Sequence, residues 1–155
     1  MTDHEIDIIE EASAPEVDTE KLRRTLTAIL TSAGETTSEL SFSIVDDETI
    51  RGLSRQYLNR DRATDVLSFP QRETQQPKGG HLGDIVVSIE TARRQAETAG
   101  HSVDEEVCHL AEHGLLHLYG YDHDEANCRD WNRAAVELGL SNHVMDVERG
   151  DKKNG

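Results

Sequence analysis

The chain has 155 residues, the length of about one domain, which allows a hydrophobic core without disulfide support. Acidic residues outnumber basic ones by 31 to 16, and the formal charge of −15 argues against a non-specific nucleic-acid binder. No apolar run approaches the roughly 18 residues of a membrane span, and the acidic N-terminus lacks the features of a secretory signal. We therefore expect a cytoplasmic protein with no membrane partner.

The negative charge is unevenly distributed along the chain. Residues 51–94 contain eight Lys and Arg against five Asp and Glu, a local charge of +3, which leaves −18 in the remainder. Two interpretations of this basic segment stay open: it binds a phosphate backbone, or its arginines are ordinary solvated helix positions.

The two cysteines, Cys108 and Cys128, are too few for a disulfide framework, and we expect free thiols in a reducing compartment.

Hydrophobic patterning predicts strands and helices in alternation along the first part of the chain. Alternate isoleucines indicate a short strand over residues 5–9, and a helix capped by Asp18 follows. Apolar side chains alternating with serines over 40–44 are typical of a half-buried strand. Either Asp46 or Asp47 then caps a second helix.

The remaining chain predicts two more strands and three more helices. Residues 64–69 form a strand ending before Pro70, 71–80 form a polar loop, and 82–89 form a strand buried on both faces. The predicted helices are 90–99, then 102–119 with a capping box of Ser102 and Glu105, then 124–138. Helices mixed with four strands in a chain of this size indicate an α+β fold.

Three of the eight histidines lie near the end of the predicted 102–119 helix. His113 and His117 are four residues apart, so their rings project from one helix face about 6 Å apart along the axis. Gly120 lets the chain leave the helix and turn back, which places His123 as a third ligand. Three imidazoles leave one position open for water, as in a catalytic zinc site. We predict one divalent metal ion, with Zn²⁺ the first candidate, on these three histidines.

Other potential ligands fit this site less well. Cys128, five residues past His123, stays open as the fourth ligand of a closed structural site. Cys108 lies nine residues before His117, about half a rotation around the helix, so it faces away. His109 is about 12 Å along the axis from His117, too far for both to reach one ion.

The histidine offsets match the metzincin pattern H-E-x-x-H-x-x-G-x-x-H except at one position. Gly114 stands where that pattern has the glutamate that serves a metalloprotease as general base. The ligands of a protease are therefore present and its base is absent. Asp84, Glu112 and Asp122 are the acidic residues that remain as candidate bases, and none of them stands out.

The segment from His113 to His123 resembles the signature of the YbeY family of bacterial rRNA maturation factors, His-Gly-x-Leu-His-Leu-x-Gly-Tyr-Asp-His. Residues 64–70 are similar to the family's T-[DN]-V-L-S-F-P strand, and residues 82–85 to its L-G-D-[IL] strand. The resemblance implies a metal-dependent endoribonuclease specific for single strands, acting in 16S rRNA 3′-end maturation and ribosome quality control. It also implies a zinc ion on the three histidines, ribosomal RNA as partner and ribosome-associated proteins as further partners.

One arginine of the family's pattern, which is held to matter for RNA cleavage, has no direct counterpart in this chain. Where the family commonly reads Tyr-Arg-x-x-Asp-x-Pro-Thr, Leu58 takes the position of the arginine and Ala63 that of the proline. Arg60 or Arg62 is then the candidate to contact the RNA phosphate in place of that arginine. We take Arg60 as the candidate catalytic residue.

Together these patterns predict a single small α+β domain of the YbeY-like metallohydrolase kind over residues 1–147, with a disordered tail over 148–155. It has a mostly mixed four-stranded sheet, about five helices and a zincin-like metal site. Two alternative functions stay open. One is a metallopeptidase-like amide hydrolase with the same ligands, and the other is a non-catalytic ribosome-associated factor that its metal stabilises.

Overall fold

Four strands form one mixed sheet in the part of the chain that the structure, a computed structural model, describes: residues 4–58, 64–71 and 79–119. The strands are β1 (Glu5–Glu10), β2 (Ser38–Val45), β3 (Val66–Pro70) and β4 (Gly80–Ser88). Their order is β1-β2-β4-β3, with β1, β2 and β4 parallel and β3 antiparallel to β4. The predicted α+β class and mixed four-stranded sheet are confirmed.

The helices of the described residues are α1 (Thr19–Ser32), α2 (Asp47–Leu58), α3 (Ile89–Ala99) and α4 (Val103–Leu118). Asp18 caps α1 as predicted, because its carboxylate accepts the Lys21 amide at 3.1 Å. The Ser102 capping box of α4 is confirmed as well. None of these helices is long and apolar enough to cross a membrane. The fifth helix, predicted over 124–138, lies outside the described residues.

The sheet has two different faces. On one face, apolar side chains of α1, α3 and α4 form the larger core with the strands. On the other face, α2 covers a smaller cluster that contains Ile50, Leu67 and Val86. In β4, Ile85 belongs to the larger core and Val86 to the smaller one, so this strand is buried on both faces as predicted.

Helix α4 packs so closely on the sheet that its middle requires a glycine. A Cβ at Gly114 would lie 2.8 Å from Cγ2 of Ile85 and 3.1 Å from Cγ2 of Val66. The Ser68 hydroxyl donates a 2.8 Å hydrogen bond to the carbonyl oxygen of the same glycine. These contacts hold the helix against β3 and β4 between the two predicted histidine ligands.

A second glycine allows the close approach at the end of α4. Gly83 in β4 has φ +154°, and a Cβ there would lie 2.6 Å from the Phe69 carbonyl oxygen. The same Cβ would lie 2.8 Å from Cδ2 of Leu118, the last residue of α4. Both the backbone conformation and the space around it therefore favour glycine at this position.

Asp46 and Asp47 have different tasks at the start of α2. Asp46 is the cap, since its carboxylate accepts the Thr49 amide at 2.8 Å. Asp47 joins α2 to α3: its carboxylate accepts the Ser88 and Thr91 hydroxyls at 2.5 and 2.7 Å and the Arg94 guanidinium at 2.9 Å. Burial on its own would raise the pKa of Asp47, but these three donors outweigh it and hold that pKa below its usual value.

We expect Asp47→Asn to lower the free energy of unfolding at pH 7 by about 1 kcal/mol, because it removes the charge that the three donors stabilise. A carboxyl whose pKa is lower in the folded state stabilises the fold above its unfolded pKa, near 3.9. That contribution is lost as the pH falls through the folded pKa. The deficit of the variant, measured by urea unfolding, should therefore shrink as the pH is lowered below about 4.

The matched control is Asp46→Asn, which removes the same charge one residue earlier. Asparagine caps a helix about as well as aspartate, so we expect a smaller loss of stability at pH 7 than in Asp47→Asn. Equal losses in the two variants would contradict the special role given to Asp47.

Candidate metal centre

His113 and His117 lie side by side on α4, and both are half-buried. Their ring centroids are 4.8 Å apart and their planes meet at 61°. The two rings share one helix face, as their spacing predicts.

The separation of the two rings is compatible with a shared tetrahedral metal. Two imidazoles that each bind one ion through a nitrogen about 2 Å away have ring centroids about 5 Å apart. The observed 4.8 Å agrees with this separation. Imidazole nitrogens are also ordinary zinc ligands, so both the chemistry and the spacing are compatible with zinc.

The third predicted ligand, His123, lies outside the described residues, as do Arg60, Asp122 and Cys128. Within residues 4–58, 64–71 and 79–119, no three His, Cys, Asp or Glu side chains are grouped so as to hold a metal ion. The three-histidine site and the catalytic role of Arg60 therefore stay predictions. The structure describes two of the three predicted ligands, His113 and His117 on α4.

Cys108 is not suited to bind this metal. It is half-buried and packs against the larger core. Burial, followed by the negative charge of Asp104, raises the pKa of the thiol to about 11, so it is protonated at neutral pH. Its prediction as a free cysteine is confirmed.

The prediction of Asp84 as a candidate general base is wrong, because the sheet separates its side chain from the two histidines of α4. Its neighbour Ile85 faces α4, and Asp84 itself lines a groove of about 580 Å³ on the α2 side, together with Tyr57 and Phe69. There its carboxylate accepts a hydrogen bond from the Gln71 amide at 3.3 Å. The predicted L-G-D strand is present, but the side chain of its aspartate points away from α4.

Two arginines of the basic 51–94 segment stabilise the fold. Arg93 binds the carboxylate of Glu16 through two nitrogens, at 2.7 and 3.0 Å. Arg94 binds the carboxylate of Asp47, as described above. The positive charge of this segment is therefore partly committed to structural ion pairs.

A polar contact that no pattern in the sequence indicates lies at the end of α4. Tyr119 directly follows α4, and its hydroxyl donates a 2.5 Å hydrogen bond to the carboxylate of Glu35. Glu35 is only 2% exposed. It follows a glycine at the end of a helix, where a charged residue is ordinarily exposed, so no pattern in the sequence marks it as buried.

These features define a class: small α+β proteins in which a helix packed on a mixed sheet presents paired histidines. The family model described as endoribonuclease YbeY matches residues 7–137 of this chain. The chain belongs to the YbeY family. The resemblance that the sequence motifs suggest is thereby confirmed.

Individual relatives agree with this assignment. The chain is 41% identical over 127 residues to endoribonuclease YbeY of Thermus thermophilus, a match that covers 81% of this chain and 90% of that protein. It is 44% identical over 122 residues to endoribonuclease YbeY of Deinococcus radiodurans, with 78% and 79% covered. A Thermotoga maritima protein of known solution structure has the same fold, with a TM-score of 0.60 and 25% identity over 97% of this chain and 98% of that one.

Proposed function

We propose that this protein is a metal-dependent endoribonuclease specific for single-stranded RNA, acting in the cytoplasm in 16S rRNA 3′-end maturation and ribosome quality control. The observation that carries the proposal is the half-buried pair of His113 and His117 in a chain of the YbeY family. The relatives named above carry the name endoribonuclease, which supports RNA as the substrate. Residues 1–147 form the proposed catalytic domain. Ribosome-associated proteins are proposed as further partners.

The proposed site consists of one divalent ion, zinc in the first place, bound by His113, His117 and His123. When bound, such an ion acts as a Lewis acid that activates water and polarises a phosphoryl oxygen. The protein contributes rigidity, because Gly114 lets α4, the helix that carries two of the proposed ligands, lie directly on β3 and β4. Arg60 is proposed to neutralise charge that develops on the phosphate in the transition state.

A chelation experiment tests this proposal. The purified protein is analysed for metal, then given a single-stranded RNA and the same RNA annealed into a duplex, before and after removal of the metal. We expect about one zinc-like ion per chain, cleavage of the single strand only, loss of cleavage on chelation and recovery when zinc is restored. Cleavage that survives complete removal of the metal would contradict the proposal.

The same experiment separates the alternatives. Metal-dependent turnover of peptides with RNA left intact would support an amide hydrolase, although the crowding at Gly114 leaves no room for the usual glutamate. A bound metal that raises thermal stability, with no turnover of RNA, would support a non-catalytic ribosome-associated factor.

A further inference from the structure

Glu35 is a buried carboxylate that joins three separate parts of the chain. One oxygen accepts the hydroxyl of Ser38 at 2.7 Å, at the start of β2, and the amide of Gly79 at 3.0 Å, just before β4. The other oxygen accepts the hydroxyl of Tyr119 at 2.5 Å, just after α4. Hydrogen bonds to a buried carboxylate are among the stronger ones in proteins, so this cluster holds its three partners firmly.

Tyr119 links this cluster to the candidate metal centre. It lies two residues after His117 and four before His123 in the sequence. Its amide donates to the carbonyl oxygens of Leu115 and Leu116 at 3.2 and 3.1 Å, and its ring packs against the larger core. The residue is therefore fixed both to the helix that carries two ligands and, through its hydroxyl, to the body of the protein.

We propose that Glu35 is a positioning residue for the metal centre, which it acts on through Tyr119. A metal ion binds more tightly when the groups that hold it are already fixed in place, because less conformational entropy is lost on binding. The hydrogen bond from Tyr119 to Glu35 fixes the end of α4, the helix that carries His113 and His117, to the body of the protein. This inference depends on the ligand set of the proposed function.

The variant Tyr119→Phe tests this role because it removes the hydroxyl and keeps the ring. The affinity of the metal-free full-length protein for zinc is measured by competition with a chromogenic chelator. We expect the Kd for zinc to rise about tenfold. This is the lower end of the loss in metal affinity that usually follows when a residue that orients a metal ligand is replaced. The melting temperature of the metal-free protein is measured in parallel.

The matched control is Tyr57→Phe, which makes the same change at an exposed tyrosine of α2, outside the Glu35 cluster. We expect this variant to bind zinc with the Kd of the wild type. The inference is contradicted if Tyr119→Phe leaves the Kd unchanged, or if both variants weaken zinc binding equally.

Failure of this inference can be told from failure of the proposed function. Wild-type protein that binds zinc but cleaves no RNA contradicts the nuclease assignment, and a selective effect of Tyr119→Phe on the Kd then still supports the role of Glu35. Wild-type protein that binds no zinc contradicts both.

Discussion

His117→Ala is expected to abolish the binding of metal and the cleavage of RNA together. The substitution removes one of the three proposed ligands. The two histidines that remain bind the ion too weakly to retain it at low concentrations of free metal. Since a catalytic metal contributes several kcal/mol to transition-state stabilisation, cleavage should fall by about a thousandfold or more. Elemental analysis and an assay on single-stranded RNA measure the two effects on the same sample.

The variant should remain folded, because alanine is the best helix former and His117 lies only half-buried on α4. His81→Ala is the matched control: it removes a histidine from β4, where the ring lies near Glu39 and Asp84 on the groove side of the sheet. We expect this control to keep both its metal and its activity. A full metal content in His117→Ala would remove that residue from the ligand set.

Gly114→Ala is expected to lower the free energy of unfolding by about 1–3 kcal/mol, the usual cost of forcing extra volume into a packed interior. The new methyl group would lie 2.8 Å from Cγ2 of Ile85, a fully buried side chain whose β-branching restricts its rotation. The helix must then shift away from β3 and β4. Urea unfolding of the two proteins measures the loss.

Gly52→Ala provides the opposite expectation within the same chain. Gly52 lies inside α2, and a Cβ there would have no atom within 4 Å apart from its chain neighbours and the nearby backbone of its own helix. Replacing an unhindered helix glycine by alanine should raise stability by about 0.5–1 kcal/mol. Equal gains in both variants would show that α4 does not pack on the sheet as closely as described.

This packing also explains why the protease pattern is broken at Gly114. From the sequence alone, the residue is a position at which a catalytic base is missing. In the structure it is a contact between a helix and a sheet, with Ile85, Val66 and Ser68 where any side chain would go. A glutamate cannot occupy this position unless the helix moves, so the departure from the metzincin pattern follows from the architecture.

Features that depend on neighbouring residues were predictable from the sequence. The caps at Asp18 and Ser102 follow from residues within one helical turn, and the shared face of His113 and His117 follows from helix geometry. Each of these needs only a few consecutive residues and the period of one element.

Features that depend on distant parts of the chain were not predictable in the same way. Asp84 belongs to a family-like motif, yet which face of β4 it occupies depends on how α2 and α4 pack on the sheet. The burial of Glu35 depends on Tyr119, which lies 84 residues further along the chain. No local pattern in the sequence carries that information. The contact of Glu35 with Tyr119 at the end of α4 is therefore visible only in the structure.

His113, His117 and His123 are proposed to bind one ion and to leave a position open to solvent. X-ray absorption at the zinc edge of the zinc-loaded, full-length protein identifies the ligands, because zinc lies about 2.0–2.1 Å from imidazole nitrogen and about 2.3 Å from thiolate sulfur. We predict three imidazole ligands, one oxygen ligand and no sulfur. A sulfur ligand, which Cys128 would supply, or fewer than three imidazoles would contradict the account.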